Sequence, residues 1–524
     1  MTQTPVDSVL TPSGAPPAPA APISPRVCEI ACAALLLTLV LAPASLLNSD
    51  GDTAHHLLVG QIILAQHSIP AQDIFSHAHL GQPFLDWEWL SEVLFAGANL
   101  LLGLNGVAIL AATLIAGTLY LLCRWLMAQG LHPVPALVVG MLAAVTSEIH
   151  WLARPHLFSF LFILLVLYLL EEYRSGRLPA TRLALVPLIM AIWANTHAAF
   201  VIGLACCGAY LAGAMLEWAV ARYRAQPQPA ARAAAQTRIW ALTTLAAGAA
   251  TLINPYGFGL YIHISSFLQN SFLTRIIVEY QPPNPRNPII WAFGIMLLGM
   301  LIVLARTWRR IPAAHLILLA AWTYLALQAA RNILQFSVVV PALLAPQLIY
   351  LLNQPRQGKR TPLLARYRSR PDLRLGPPWV LGATLLSLIV LAALGGRIGS
   401  QLVLRARWTE PPFPIQAVAF IQQQNLPQSK MFNNMTWGGY LLYTLYPRYH
   451  IFIDGQQDAY GEALSRDYLT IELAGPGWET LLSHYAIDWV IEVPTTPLAA
   501  ALRADAARWR VLYEDPTAVI LVRR

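Results

Sequence analysis

"DWEWLSEVLFAGANLLLGLN", residues 86–105, is apolar enough in its second half to enter a membrane, yet it opens with Asp86, Glu88 and Glu92 set among Trp87 and Trp89. Whether this segment spans the bilayer or lies on it decides the side on which every later loop falls. The chain of 524 residues is 56% hydrophobic and 11% charged, with a mean hydropathy of +0.52, so it reads as an integral membrane protein and not a soluble globule. If 86–105 spanned, the basic loops "EEYRSGR" (171–177) and "RYRAQPQPAARAAAQTR" (222–238) would face away from the N-terminal side, against the positive-inside rule. Laid along the outer surface, it brings the basic loops to one side, and its acids and tryptophans suit an interfacial helix.

The expected fold class is therefore an α-helical polytopic membrane protein with about eleven transmembrane helices and a C-terminal extracytoplasmic α/β domain. Runs long enough for roughly 30 Å of hydrocarbon place the spans near 28–47, 106–127, 134–149, 156–170, 183–196, 199–219, 239–253, 290–305, 312–328, 333–351 and 378–395. Residues 1–27, rich in Pro and Ala, read as a disordered cytoplasmic tail. Residues 28–397 form the transmembrane domain with its first outer loop at 48–105, and 398–524 form the extracytoplasmic domain. The expected location is the inner (plasma) membrane, multi-pass, with the N-terminus cytoplasmic. The net charge of +8 reports orientation rather than nucleic-acid binding, because the basic residues sit in short loops between spans. All five cysteines (Cys28, Cys32, Cys123, Cys206 and Cys207) lie in or beside apolar runs, so no disulfide framework is implied.

The first outer loop contains no Lys or Arg, but it holds Asp50, Asp52, Asp73, Asp86, Glu88, Glu92 and five histidines. "SDGDTAHH" (49–56) gathers two carboxylates and two imidazoles after the first span. As plain structure, Asp52 caps the helix that follows and Asp50 belongs to the preceding turn. As chemistry, either Asp50 or Asp52 can act as a general base on an acceptor hydroxyl or amine. Asp50, Asp52, His55 and His56 are also candidate metal ligands, since imidazole and carboxylate both bind divalent ions. At the outer ends of later spans stand Glu148, His150, Arg154 and His156 in "SEIHWLARPH", Asn195 and His197 in "ANTHAAF", Asn254 and Tyr256 in "INPYGFGLY", and Arg331 and Asn332 in "AARNILQF". Ionisable groups at such depths are costly unless they are paired or line a wet cavity. Guanidinium groups facing carboxylates across a cavity suit a phosphate-bearing lipid-linked substrate, whereas arginines that merely snorkel to headgroups are the bland reading.

"DGDTAHHLLVGQIILAQHSIPAQDIFS" followed by "GQPFLDWEWLSEVLF" resembles the first outer loop of GT-C-fold glycosyltransferases, the group that includes protein O-mannosyltransferases, lipid A aminoarabinose transferases and bacterial oligosaccharyltransferases. The uncharacterised bacterial members of that group share "RPH" and "NTH" elements, here Arg154–His156 and Asn195–His197. In such loops a catalytic Asp follows the first span, a short helix leads to a Pro, and an aromatic surface helix comes next; Asp50, Pro70 and the stretch from Trp87 to Phe95 occupy those places. The resemblance covers roughly residues 28–350. It implies transfer of a sugar from a polyprenyl-phosphate-linked donor to an acceptor glycan, lipid or protein at the outer membrane face, in the cell envelope. Asp50 or Asp52 would be the base, and His55, His56, Glu88, Arg154, His156, Asn195, His197 and Arg331 would bind substrate. A divalent metal is compatible with this chemistry but not required, because the arginines can stabilise the leaving phosphate. The chain departs from the group by having Asp-Gly-Asp where many members have Asp-Glu or Asp-Asp, and it lacks the tryptophan-rich acceptor motif of oligosaccharyltransferases.

In the C-terminal region, helical and strand patterns alternate, with strands expected at "KMFNN", "YHIFID", "DWVIEV", "WRVLYED" and "TAVILVRR". Trp437, Asp454, Gln457, Asp458 and Tyr460 fall at expected strand ends. Two other function classes fit the same cavity: a transporter or flippase of lipid-linked saccharides, and a non-catalytic envelope assembly protein. No internal repeat of the kind common in transporters is evident, and the polar residues gather at the outer ends of the spans, which favours the enzyme.

Overall fold

The structure is a computed structural model that describes residues 26–49, 51–354, 375–424, 426 and 429–524. Asp50 and nearly all of the expected tail lie outside the described residues. Each of the eleven expected spans coincides with a helix. Six described helices are long and apolar enough to cross a membrane: Trp89–Ala128, Pro133–His150, His156–Arg174, Phe200–Tyr223, Pro288–Arg310 and Ala330–Asn353. Shorter apolar helices cover Ala180–Trp193, Ala313–Gln328 and Trp379–Ala393, and Arg26–Leu41 and Pro227–Ala250 complete the set. The molecule is thus an α-helical polytopic membrane protein with a small sheet domain at its C-terminus.

The 86–105 segment and the span after it form one 40-residue helix broken at Gly103, whose φ of 61° lies in the left-handed region that side chains disfavour. Before the break the helix lies against Asp52–Gln66, while Leu100 and Leu101 remain exposed. After it the chain enters the bundle, where Val107, Ala111, Ile115 and Leu122 are fully buried. The first and last helices of the bundle are tied by a buried carboxylate. Glu29 accepts hydrogen bonds from the Val380 N–H (2.5 Å) and the Leu381 N–H (3.3 Å), satisfying donors that the start of Trp379–Ala393 would otherwise leave unpaired.

The C-terminal sheet has four strands in the order Met431–Asn433, Trp489–Glu492, Val519–Arg523, Trp509–Glu514, the first pair parallel and the others antiparallel. The expected strand "YHIFID" is not part of it. Ile451 instead forms a single parallel bridge with Ser76 of the first loop, its N–H donating to the Phe75 carbonyl and its carbonyl accepting from the His77 N–H. The next residues are satisfied by one side chain: Asn433 Oδ1 accepts from the Phe452 N–H, and Asn433 Nδ2 donates to the Ile453 carbonyl. The residues have strand character, but their backbone partners are the first loop and the side chain of Asn433 rather than a sheet ladder. A helix at Gln457–Glu472, kinked at Gly461, follows this segment and was not expected.

The first loop and the C-terminal domain are docked at backbone distance. A Cβ at Gly439 would lie 2.3 Å from the Gly51 carbonyl oxygen and 3.0 Å from the His55 Cβ, whereas a Cβ at Gly97, also helical, would meet nothing within 4 Å. Gly439→Ala should therefore cost about 2 kcal/mol through forced separation of the two backbones. Gly97→Ala should be neutral or stabilising by up to about 1 kcal/mol. Thermal unfolding of the two variants in lipid nanodiscs checks the contrast.

Candidate functional site

Asp52 opens the helix Asp52–Gln66, but the cap position belongs to Gly51, so Asp52 is the first helical residue and not the cap. Its carboxylate reaches Arg154 Nη2 at 2.8 Å. Arg154 stands just ahead of the helix that starts at His156, where Pro155 fits the first turn without losing a needed donor. Through Nη1 it also holds Glu279 Oε1 at 2.9 Å, and the other Glu279 oxygen lies 3.5 Å from His150 Nε2. Burial pushes the Glu279 carboxyl up, but the charge of Arg154, the hydrogen bond from His150 and the nearby Arg331 outweigh it and hold the group well below the usual range. Arg331 lies over the Tyr280 ring at 4.4 Å and makes no ion pair among the described residues.

One helical turn beyond Asp52 the groups face a second, more acidic space. His55 Nδ1 meets Asp454 Oδ2 at 2.7 Å, and Asp454 Oδ1 accepts from the Gln456 N–H and the Tyr460 hydroxyl. Burial alone would raise the Asp454 carboxyl, yet the charge and hydrogen bond of His55 keep it low; the same pair raises His55 against its own burial. His56 Nδ1 pairs with Glu92 Oε1 at 2.8 Å, while its Nε2 has no hydrogen-bond partner among the described residues and lies 3.8 Å from Glu88 Oε2. Burial raises the Asp86 carboxyl. His55, Asp86, Trp87, Glu88, Gln456 and Asp458 line a small cleft between the first loop and the C-terminal domain.

The cleft is closer to neutral than its carboxyl count suggests. Burial pushes Glu88 up to about 8, only partly offset by Arg154, and burial likewise raises Asp86. His197 is pushed down to about 3 by burial and by the charges of Arg331 and Arg154. Its Nδ1 accepts from the Ala199 N–H at 3.2 Å and faces the Ser159 hydroxyl at 2.8 Å, so the proton sits on Nε2, 3.6 Å from Glu88 Oε1. Protonated carboxyls and neutral imidazoles can both donate and accept, which suits a hydroxylated ligand.

The sequence-predicted residues thus separate into two groups. Asp52, His55, His56, Glu88, Arg154 and His197 converge on this region, with Arg331 beside it. Asn195 is consumed as a brace: its Oδ1 accepts from Trp89 Nε1, and its Nδ2 donates to the Ala191 and Ile253 carbonyls. His156 is also braced, donating from Nε2 to the His150 carbonyl at 2.8 Å. Of the metal candidates, Asp52, His55 and His56 each turn to a different partner, and among the described residues no three His, Cys, Asp or Glu side chains come together to hold an ion. The sequence reading did not single out Glu279 or Tyr280, although Glu279 is the sole acid between Glu217 and Asp372 and so carried a visible signal.

No family model and no curated protein matches the chain. Among solved structures, it is similar to the archaeal oligosaccharyltransferase AglB from Archaeoglobus fulgidus in complex with an inhibitory peptide and a dolichol-phosphate. The two are 12% identical, with a TM-score of 0.55 over 89% of this chain and 69% of that one. The A. fulgidus oligosaccharyltransferase in complex with Zn and sulfate aligns with a TM-score of 0.53, at 12% identity, over 89% and 67% of the respective chains. The chain has a GT-C fold. At this identity the likeness is one of fold, so the chemistry of this GT-C protein has to be read from its own side chains.

Glu88 gives that chemistry a pH signature. An ordinary glutamate titrates near 4.5, so between there and about 8 the folded protein keeps a proton that the unfolded chain has lost. Unfolding in this window releases a proton, and stability falls as pH rises through it. Glu88→Gln, which cannot ionise, should lose less thermal stability than wild type between about pH 5 and about pH 8.5, read from melting temperatures across that range.

Proposed function

We propose that the protein is a glycosyltransferase that moves a sugar from a polyprenyl-phosphate donor to an acceptor at the outer face of the membrane. The observation that carries this reading is the convergence of Asp52, Arg154, Glu279 and Arg331, drawn from four separate segments, at one place in a GT-C fold. The dolichol-phosphate bound to the A. fulgidus enzyme is a lipid-linked phosphate of the class invoked here. A first loop without Lys or Arg, opposite basic loops that the positive-inside rule places in the cytoplasm, supports action at the outer face.

In the proposed reaction the acceptor hydroxyl or amine attacks the anomeric carbon, the bond from that carbon to the phosphate oxygen breaks, and polyprenyl phosphate leaves with the bonding pair. Asp50 or Asp52 takes the acceptor proton. Arg331 meets the phosphate, since its guanidinium is stacked on an aromatic ring and has no carboxylate partner among the described residues. Arg154 is already shared by two carboxylates, so its part is to hold Asp52 in place and add positive charge beside the leaving group. His55, His56, Glu88 and His197 border the sugar.

Transfer from labelled polyprenyl-phosphate sugars in membranes tests this. Asp50→Asn or Asp52→Asn, whichever removes the base, should lower the rate by about 10²–10⁴-fold. Arg331→Ala should lower it by about 10²-fold or more through lost stabilisation of the leaving phosphate. Wild-type rates in both folded Asp variants would overturn the assignment of the base.

A further inference from the structure

The loop 453–456 reaches from the C-terminal domain into the centre just described, and two of its residues touch side chains of the first helical turn after the first span. Asp454, 1% exposed, pairs with His55, 2% exposed, across 399 residues of sequence. Gly455 comes so near Asp52 that a Cβ there would lie 2.0 Å from Asp52 Oδ1 and 3.1 Å from Oδ2. We infer that Asp454 and Gly455 are positioning residues of the reaction centre: Asp454 sets the His55 imidazole with Nε2 toward the cleft, and Gly455 leaves the room in which Asp52 meets Arg154. The reaction named here rests on the glycosyltransferase reading; the placement of the side chains does not.

The geometry is more specific than domain docking requires. The domain is already held by the Ser76 hydroxyl on the Phe452 carbonyl at 2.6 Å, by the Ile451 bridge, and by His77 Nε2 on the Met431 carbonyl at 2.7 Å. A buried carboxylate–imidazole pair adds little to such docking, because desolvating both groups offsets most of their attraction. It does fix one ring nitrogen and thereby the direction of the other. His55 lines the cleft, and the edge of Phe75 lies 5.6 Å away by ring centroids, so with Nδ1 taken Nε2 is the nitrogen left for a ligand. Gly455 acts by absence of a side chain: any Cβ must push the Asp52 carboxylate off its 2.8 Å contact with Arg154 or displace the loop.

Asp454→Asn and Gly455→Ala in the full-length protein test this by two readouts, sugar-transfer kinetics in nanodiscs and a structure of each variant. Each variant should lower kcat at least tenfold with the donor KM within twofold. The structures should show the Ser76–Phe452 contact intact, the His55 ring turned in D454N, and Asp52 displaced from Arg154 in G455A. Wild-type kcat in docked variants, or unmoved His55 and Asp52, would overturn the inference. Gly455→Ala leaves no charge buried alone and carries the test should D454N fail to fold. If the wild type transfers sugar from none of the lipid-phosphate donors, the glycosyltransferase reading fails, and the variant structures by themselves decide the positioning.

Discussion

One guanidinium organises the site. Arg154 is held between Asp52 and Glu279, and those two ion pairs join the segment after the first span, the turn before the His156 helix and the loop that carries Tyr280. None of the three groups is fully exposed, so removing the arginine would leave two partly desolvated carboxylates facing each other at a cost beyond that of a surface pair. Glu279 in turn brings Tyr280 under Arg331. The second arginine is therefore positioned by an aromatic face, which leaves its hydrogen-bonding edge available for an anion.

One turn further along the Asp52–Gln66 helix the balance of charge is reversed. His55, Glu88, Asp86 and Asp458 border a cleft without a Lys or Arg among its lining, and burial keeps Glu88 and Asp86 protonated to higher pH than usual. A ligand lying across the two halves would meet arginines at one end and groups that exchange hydrogen bonds at the other. A sugar carried on a phosphate has that polarity.

Most of the bundle was legible because bilayer thickness sets helix length, so apolar runs and helices coincide from Arg26 to Ala393. Glu88 and Glu92, with Trp87 and Trp89, marked the segment that lies outside the bundle before the chain enters it, whereas the break at Gly103 was not read from the sequence. What could not be read were pairings over long sequence distance. The stretch from Tyr449 to Asp454 has the residues of a strand, but its partners are Phe75, His77 and the side chain of Asn433, none predictable from local periodicity. Asp454 could be placed at the end of that stretch, but nothing in the sequence joined it to His55. Asn195 and His156 had the character of binding residues and were used for bracing, a distinction that depends on which carbonyls lie within reach.

The tie between Glu29 and the start of the Trp379–Ala393 helix also governs the order in which the protein can be assembled. The donors that satisfy this buried carboxylate lie 351 residues further along the chain. At about 5–20 residues per second of synthesis, the first span waits roughly 20–70 seconds for them. Until then its carboxylate lacks the two backbone donors that satisfy it in the folded protein, and an ionisable group without partners in hydrocarbon is costly. The Arg26–Leu41 helix can therefore pack on Trp89–Ala128 early in synthesis, whereas its tie to Trp379–Ala393 must wait until that helix has been made.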